Sequence, residues 1–318
     1  MNIKEISKAN IMDNVSHLII PEKIKQKFKK ISGYENLRTN ENILLLWKDI
    51  RQIVDPENII SDLIQKEVAT HGHAIVSGFP VDNDKPETPV GTMEYKPKGE
   101  YLTEKTLIYL SSLFGRPHAY IQENNGEYIH DLYPIKGNET VAAGTGSEVD
   151  LEFHTEIAFD INKPDYLILT AVRSRSDQNV PTTLVNVNPI LNRLTNDELN
   201  ILQEKNFFIR APYSFSDGDD IYYLRPLANL NNGNDFSFNF NFNFNSGVTF
   251  CVSQKAEQLF EKLRREFNDN VQKALLQPGS ALIIDNNKML HGRSLFKPKF
   301  DGKDRWLQRI YVKKEGVK

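Results

Sequence analysis

A chain of 318 residues and 36.5 kDa can bury a sizeable core as one large domain or two small ones. Its 39 basic and 42 acidic side chains leave a formal charge of −3, which gives no reason to expect a nucleic acid or an anionic membrane as partner. The lone cysteine, Cys251, excludes an internal disulfide and a cysteine-based zinc site.

The first third reads as mainly helical. Ile43, Leu44, Leu46, Trp47, Ile50 and Val54 recur at helical spacing, and Ile59, Ile60, Leu63, Ile64 and Val68 continue the pattern after a break at Pro56. At Gly72 the character changes, and His73 to Pro80 reads as a short buried strand. Asp82 to Glu100, rich in Pro, Gly and charge, is expected to be an exposed loop. Thr103 to Phe114 returns to helical spacing. After Gly115 short β-prone runs dominate, including Tyr166 to Val172 and Thr182 to Val187, with a helix expected between Pro189 and Glu204. Ser253 can cap a helix whose apolar stripe runs through Ala256, Leu259, Phe260, Leu263, Phe267 and Val271. Pro278-Gly279 then turns into the buried strand Ala281 to Asp285.

Many short strands with inserted helices predict an α+β protein with a jelly-roll core and flanking helices. One domain over 1–318 is expected, with 1–70 as a helical N-terminal extension and 71–318 as the core. No stretch approaches the roughly 18 apolar residues of a membrane span. Residues 1–10 are mostly polar and charged, with no apolar run behind them, so we expect a cytoplasmic location. From Phe236 to Asn245 phenylalanine alternates with Ser or Asn; this predicts a strand with one aromatic and one amide face.

Of seven histidines, two sit in informative surroundings. His154 and Glu156 lie two apart, hence on one side of an extended segment. With a distant second histidine they would complete the facial triad of non-haem Fe(II) oxygenases, which leaves adjacent coordination positions open. Taken alone, His-x-Glu is weak evidence, since such a pair usually means a hydrogen-bonded surface pair. His291 follows the buried strand, and behind it come Arg293, Arg305 and Arg309. A guanidinium fork suits carboxylates, although the lysines crowding this region also fit a solvated basic surface.

The run Gly144-Thr-Gly-Ser-Glu-Val-Asp-Leu-Glu-Phe-His154-Thr-Glu156 is similar to the first metal motif of clavaminate synthase-like Fe(II)/2-oxoglutarate oxygenases. Pro278-Gly-Ser-Ala-Leu-Ile-Ile-Asp-Asn, then His291-Gly-Arg and Asp301-Gly-Lys-Asp-Arg-Trp-Leu-Gln-Arg309, resembles the second. Gly115-Arg-Pro-His-Ala-Tyr-Ile-Gln122-Glu123 resembles the segment that precedes the first motif. The resemblance runs from about Gly72 to the C-terminus and is nearest in pattern to hydroxylases of free L-amino acids, chiefly the asparagine and arginine oxygenases.

That resemblance implies a double-stranded β-helix core, with Fe(II) bound by His154, Glu156 and His291. It implies 2-oxoglutarate held by Arg305 and Thr182, dioxygen as second cosubstrate, and a small-molecule amino acid as substrate. Arg309 would pair with the α-carboxylate, Glu123 with Gln122 beside it would receive the α-ammonium group, and Thr145 and Ser147 would add polar contacts. Oxidative decarboxylation of 2-oxoglutarate would accompany hydroxylation of an unactivated carbon, with desaturation as a variant. Where arginine-using relatives carry two acidic residues, this chain has Asn243 and Asn245. Amides cannot neutralise a buried cation but can donate and accept hydrogen bonds, so a neutral amide or ureido side chain is expected. A two-residue register shift would bring arginine or lysine back, with Asp217, Asp219, Asp220 or Asp235 supplying the charge.

The remaining candidates have plainer readings. His71 and His73 are expected to begin a core strand and bind nothing. His118 and His130 are read as hydrogen-bonded histidines, and Cys251 as a packing residue. Competing with the enzyme is a jelly-roll small-molecule binding module that keeps the metal motif without turnover. An oxygenase of carrier-tethered residues ranks lower, because a masked carboxylate would leave Arg309 nothing to pair with.

Overall fold

The computed structural model describes residues 17–34, 36–91, 99–175, 177–228, 243 and 247–315. In chain order these form β1 (His17–Ile19), α1 (Glu22–Lys29), α2 (Asn40–Val54), α3 (Ile59–His71), β2 (His73–Ser77), α4 (Leu102–Phe114), β3 (Arg116–His118), β4 (Ile129–Leu132) and β5 (Leu151–His154). There follow β6 (Tyr166–Arg173), β7 (Thr182–Asn186), α5 (Asn188–Leu191), α6 (Asn196–Gln203), β8 (Phe207–Arg210), β9 (Tyr222–Arg225) and β10 (Thr249–Cys251). The chain continues with α7 (Gln254–Asp269), β11 (Gln272–Ala274), β12 (Ser280–Asp285), β13 (Met289–Arg293) and β14 (Trp306–Lys313). Local chemistry fixes several boundaries. Thr39 and Ser253 accept from the backbone N–H three residues on, at the starts of α2 and α7, and Thr195 with Glu198 makes a capping box on α6.

A seven-stranded sheet runs β1-β2-β12-β6-β14-β3, with β4 also paired to β14. A four-stranded sheet runs β11-β7-β13-β5, and a three-stranded one β10-β8-β9. Period-two alternation then sorts side chains into layers. On β12, Leu282 and Ile284 join one apolar cluster while Ala281 and Ile283 join another. On β14 the same division separates Leu307 and Tyr311 from Ile310 and Val312. The first set meets Leu184 of β7 and Met289 of β13, so the two larger sheets face each other across one apolar layer. The second set packs under α1–α4. Beyond the four-stranded sheet, Val185 and Leu290 pack against the helices α5–α7 and β8.

Some details differ from the sequence reading. Within the helical N-terminal third, β1 extends the large sheet as a parallel edge strand beside β2. The helix expected between Pro189 and Glu204 is two helices, because Thr195 begins a new one with its own cap. The segment after Asp82 is irregular but not simply exposed: Asp82 is buried and accepts from Leu102 N–H, and the Thr88 hydroxyl donates to Asp304 O at 2.7 Å. Among the described residues no helix is long and apolar enough to cross a membrane.

Candidate active site

Sheet register brings the two histidines together. β5 pairs antiparallel with β13, and His154 stands directly opposite His291 with ring centroids 4.4 Å apart. Glu156 lies two residues past the end of β5, with Oε1 3.2 Å from His291 Nε2. One ligand atom from each of the three residues falls within 4.8 Å of the others. Donors about 2.1 Å from one ion and at right angles to each other stand about 3 Å apart, so the spacing and the N2O donor set fit a divalent transition metal. His154 Nδ1 faces Glu152 O at 2.8 Å, which turns Nε2 towards the cluster. Burial and then neighbouring His291 hold His154 down to about 4, so its imidazole is neutral at physiological pH, as a ligand must be. Burial works against the Glu156 carboxylate, but Arg309 and both histidines outweigh it and keep its pKa well below the usual range.

Gly292, between His291 and Arg293, explains how the strands approach so closely. A Cβ there would lie 2.5 Å from Leu151 O and 3.0 Å from Thr183 Oγ1. Arg293 is buried; its guanidinium donates to Gly146 O and, at 3.0 Å, to Val149 O. The loop holding Thr145 and Ser147 is thereby tied to the strand that carries His291. The Ser147 hydroxyl is buried without a hydrogen-bond partner among the described residues, and Thr145 is half-buried.

The facing sheet contributes cations. Arg309 on β14 donates from Nη2 to Glu123 Oε2 at 3.2 Å and from Nη1 to Glu156 Oε1 at 3.4 Å. Burial raises the Glu123 pKa against the pull of Arg309. Burial opposes the Arg309 charge, yet Tyr311, Glu156 and Glu123 hold its pKa above the ordinary value. Arg305, just before β14, donates to Thr182 Oγ1 at 3.4 Å. No carboxylate among the described residues pairs with it, and burial followed by Arg293 lowers it to about 9. A largely desolvated cation without a counter-ion is a receptor for an anion. Thr182 lies opposite Arg293 and Leu184 opposite His291, so Thr182 shares the His291 face of the sheet.

Residues 48–311 match the family described as taurine catabolism dioxygenase TauD, TfdA family. The chain belongs to this family. The dioxygenase uses Fe(II) and 2-oxoglutarate. Over 249 residues it is 28% identical to L-lysine 3-hydroxylase of Catenulispora acidiphila, covering 77% of this chain and 68% of that protein. Over 260 residues it is 27% identical to L-asparagine oxygenase of Streptomyces coelicolor, covering 81% and 76%. The crystal structure of an asparagine oxygenase with Fe(II), 2S,3S-3-hydroxyasparagine and succinate superposes with a TM-score of 0.82 at 23% identity, over 93% of both chains.

Two further residues of the dioxygenase touch this cluster. His130 on β4 lies opposite Arg309 and accepts from its Nε at 3.3 Å, while its own Nε2 faces Glu127 O at 2.9 Å. Burial and Arg309 lower its pKa to about 3. It is a hydrogen-bonded histidine, as read, but its partner is the central cation. Tyr311 donates to Glu156 Oε2 at 2.9 Å and lies under the Arg309 guanidinium at 4.5 Å. Its two-residue spacing from Arg309 was the signal in the sequence that both share a face. Gln122, by contrast, is exposed and makes no hydrogen bond among the described residues. Asn243 forms an isolated antiparallel bridge with His154, and Asn245 lies outside the described residues. His73 is buried in β2, and Cys251 packs at the edge of the α7 cluster with burial pushing its thiol up to about 11.

Proposed function

We propose that the protein hydroxylates a free L-amino acid at an unactivated side-chain carbon, Cβ or Cγ. The observation that carries this reading is the Arg309–Glu123 pair, 3.2 Å apart and in contact with Glu156. One fixed cation and one fixed anion, largely withdrawn from water beside the metal ligands, can hold both charged groups of a zwitterion. Relatives named for lysine and for asparagine support an amino acid as substrate.

His154, Glu156 and His291 would hold Fe(II), which with 2-oxoglutarate supplies the dioxygen chemistry that converts C–H to C–OH and leaves succinate and CO2. Arg305, assisted by Thr182, would pair with the distal carboxylate of the cosubstrate. On substrate binding Arg309 would exchange part of its carboxylate contact for the α-carboxylate, and Glu123 would take the α-ammonium group. That exchange leaves no buried charge unpartnered. Thr145 and Ser147 would add polar contacts, with the Ser147 hydroxyl free to bond. Tyr120, Phe159 and Phe215 form a chain of ring contacts beginning at Tyr311 and would limit access of water. In this reading the facing sheets are the halves of a jelly roll, 1–318 acts as one unit in the cytoplasm, and the helices of 1–70 buttress it.

Side-chain choice rests on Asn243. Bridged residues share a face, so its carboxamide would sit beside His154 and favour a neutral amide or ureido group, as in asparagine, glutamine or citrulline. A lysine-type substrate is the second reading, favoured by the lysine hydroxylase relative. Aerobic incubation with Fe(II), 2-oxoglutarate and ascorbate against a panel of free L-amino acids, followed by mass spectrometry, tests both. Gain of one oxygen on a neutral substrate supports the first reading; gain on lysine, ornithine or arginine supports the second. No oxygenated product and no succinate would reject the hydroxylase in favour of a binding module or a tethered substrate. Asn243→Asp should move preference towards cationic side chains by at least about tenfold, the scale of a charge-assisted contact.

A further inference from the structure

The ladder between β5 and β13 sets His154 against His291 but ends before Glu156. A different device holds the carboxylate residue. Asn286, fully buried in the turn between β12 and β13, accepts from Glu156 N–H through Oδ1 at 2.9 Å. Its Nδ2 donates to Glu156 O at 3.2 Å and to Pro164 O at 2.9 Å. One carboxamide thus grips both backbone groups of a residue 130 positions away and uses both of its N–H bonds in doing so. The turn itself is anchored, because Lys163 Nζ donates to Asn286 O at 2.7 Å and Asn286 N–H to Asp165 O at 2.9 Å.

The residue after Glu156 shows why such a grip is needed. Ile157 is buried with φ +54°, a left-handed conformation that β-branched side chains avoid. Left to local preference, Ile157 would turn the following chain another way and pull against the hold on Glu156. Asn286 lies five residues before His291 on the same hairpin, so its bonds reference Glu156 directly to the second histidine.

We infer that Asn286 is a positioning residue of the metal centre, fixing Glu156 relative to His291 through the Glu156 backbone. This rests on the three-ligand assignment and is independent of the substrate reading. The test titrates metal-free protein with Co(II), following absorption of the bound ion, alongside thermal unfolding of the metal-free form. Asn286→Ala is expected to weaken Co(II) binding by about 10–100-fold, the usual effect of losing a group that orients a ligand. Asn287→Ala, on the same turn but without contact to Glu156, is expected to stay within about twofold. Adding Ile157→Gly, which relaxes the left-handed position, should restore part of the lost affinity. Unchanged affinity in a folded Asn286→Ala would overturn the inference. If that variant does not fold, Asn286→Asp replaces it, keeping the acceptor for Glu156 N–H and losing the donor, with the same expectation. Failure of both to fold while Asn287→Ala folds would reduce Asn286 to a purely structural residue and also overturn it. Failure of the unaltered protein to bind Co(II) would instead overturn the metal-centre assignment.

Discussion

Arg309 and Glu156 lie 3.4 Å apart, so the cation proposed to receive the substrate carboxylate already touches the carboxylate of the His154–Glu156–His291 cluster. Two sheets meet at this contact, since Arg309 comes from the seven-stranded sheet and Glu156 follows a strand of the four-stranded one. Arg309→Lys keeps the charge and loses the planar fork. We expect it to retain metal affinity within a few-fold while amino-acid kcat/KM falls by roughly 100-fold, the scale of about 2–5 kcal/mol for a broken buried charge pair. Arg309→Met should lower amino-acid kcat/KM at least as far without weakening Co(II) binding, because the guanidinium that competes with a cation for Glu156 is gone and the ion itself neutralises that carboxylate. Parallel Co(II) titration and amino-acid kinetics separate the two effects.

Arg305 has no carboxylate partner among the described residues, so its charge is available to an anion, which we propose is the distal carboxylate of 2-oxoglutarate. Arg305→Met should weaken 2-oxoglutarate binding by roughly 100-fold and leave amino-acid binding within a few-fold, read by anaerobic calorimetry with each ligand. Equal loss for both ligands would undo the assignment.

His130 predicts a pH dependence of stability. The unfolded chain takes up its imidazole proton near the ordinary histidine value of 6.5, whereas burial and Arg309 keep the folded protein from taking it up until about pH 3. The unfolded state therefore binds more protons within that window, and this contribution to stability is complete above about pH 6.5. It is lost as the pH falls towards 3, with a slope of at most about 1.4 kcal/mol per pH unit. His130→Gln, which does not titrate, should flatten the slope in chemical denaturation measured between pH 6.5 and 4. An unchanged slope would assign the acid sensitivity elsewhere.

Gly292→Ala tests the close approach of β5 and β13. Its Cβ would meet Leu151 O at 2.5 Å, and backbone on that side cannot move without separating His154 from His291. We expect a loss of about 1–3 kcal/mol in unfolding free energy together with weaker Co(II) binding. A variant as stable as the parent, with unaltered metal affinity, would show that the ladder can give.

The amino-acid sequence by itself determined the periodic helices, the buried strand ahead of His291, and the residue types needed for an iron centre. Those features depend on local spacing and on the chemistry of single side chains. It also put His154 and Glu156 two apart in one motif, but Glu156 falls past the end of β5 and is held there by Asn286 and not by an extended strand. Tertiary structure alone decided what depends on register and layering. It set His154 opposite His291, brought Arg309 of one sheet onto Glu156 of the other, and made His130 the partner of that arginine. It also buried Asp82 and Thr88 in a segment whose composition reads as exposed. Asn286 is the sharpest example: a lone asparagine in a turn carries no signal until the fold brings Glu156 within hydrogen-bonding distance. Cross-strand partners are chosen by the packing of whole faces, and a one-residue slip turns every side chain over. Residues joined only through such pairings are therefore set by the assembled sheets and not by any local pattern.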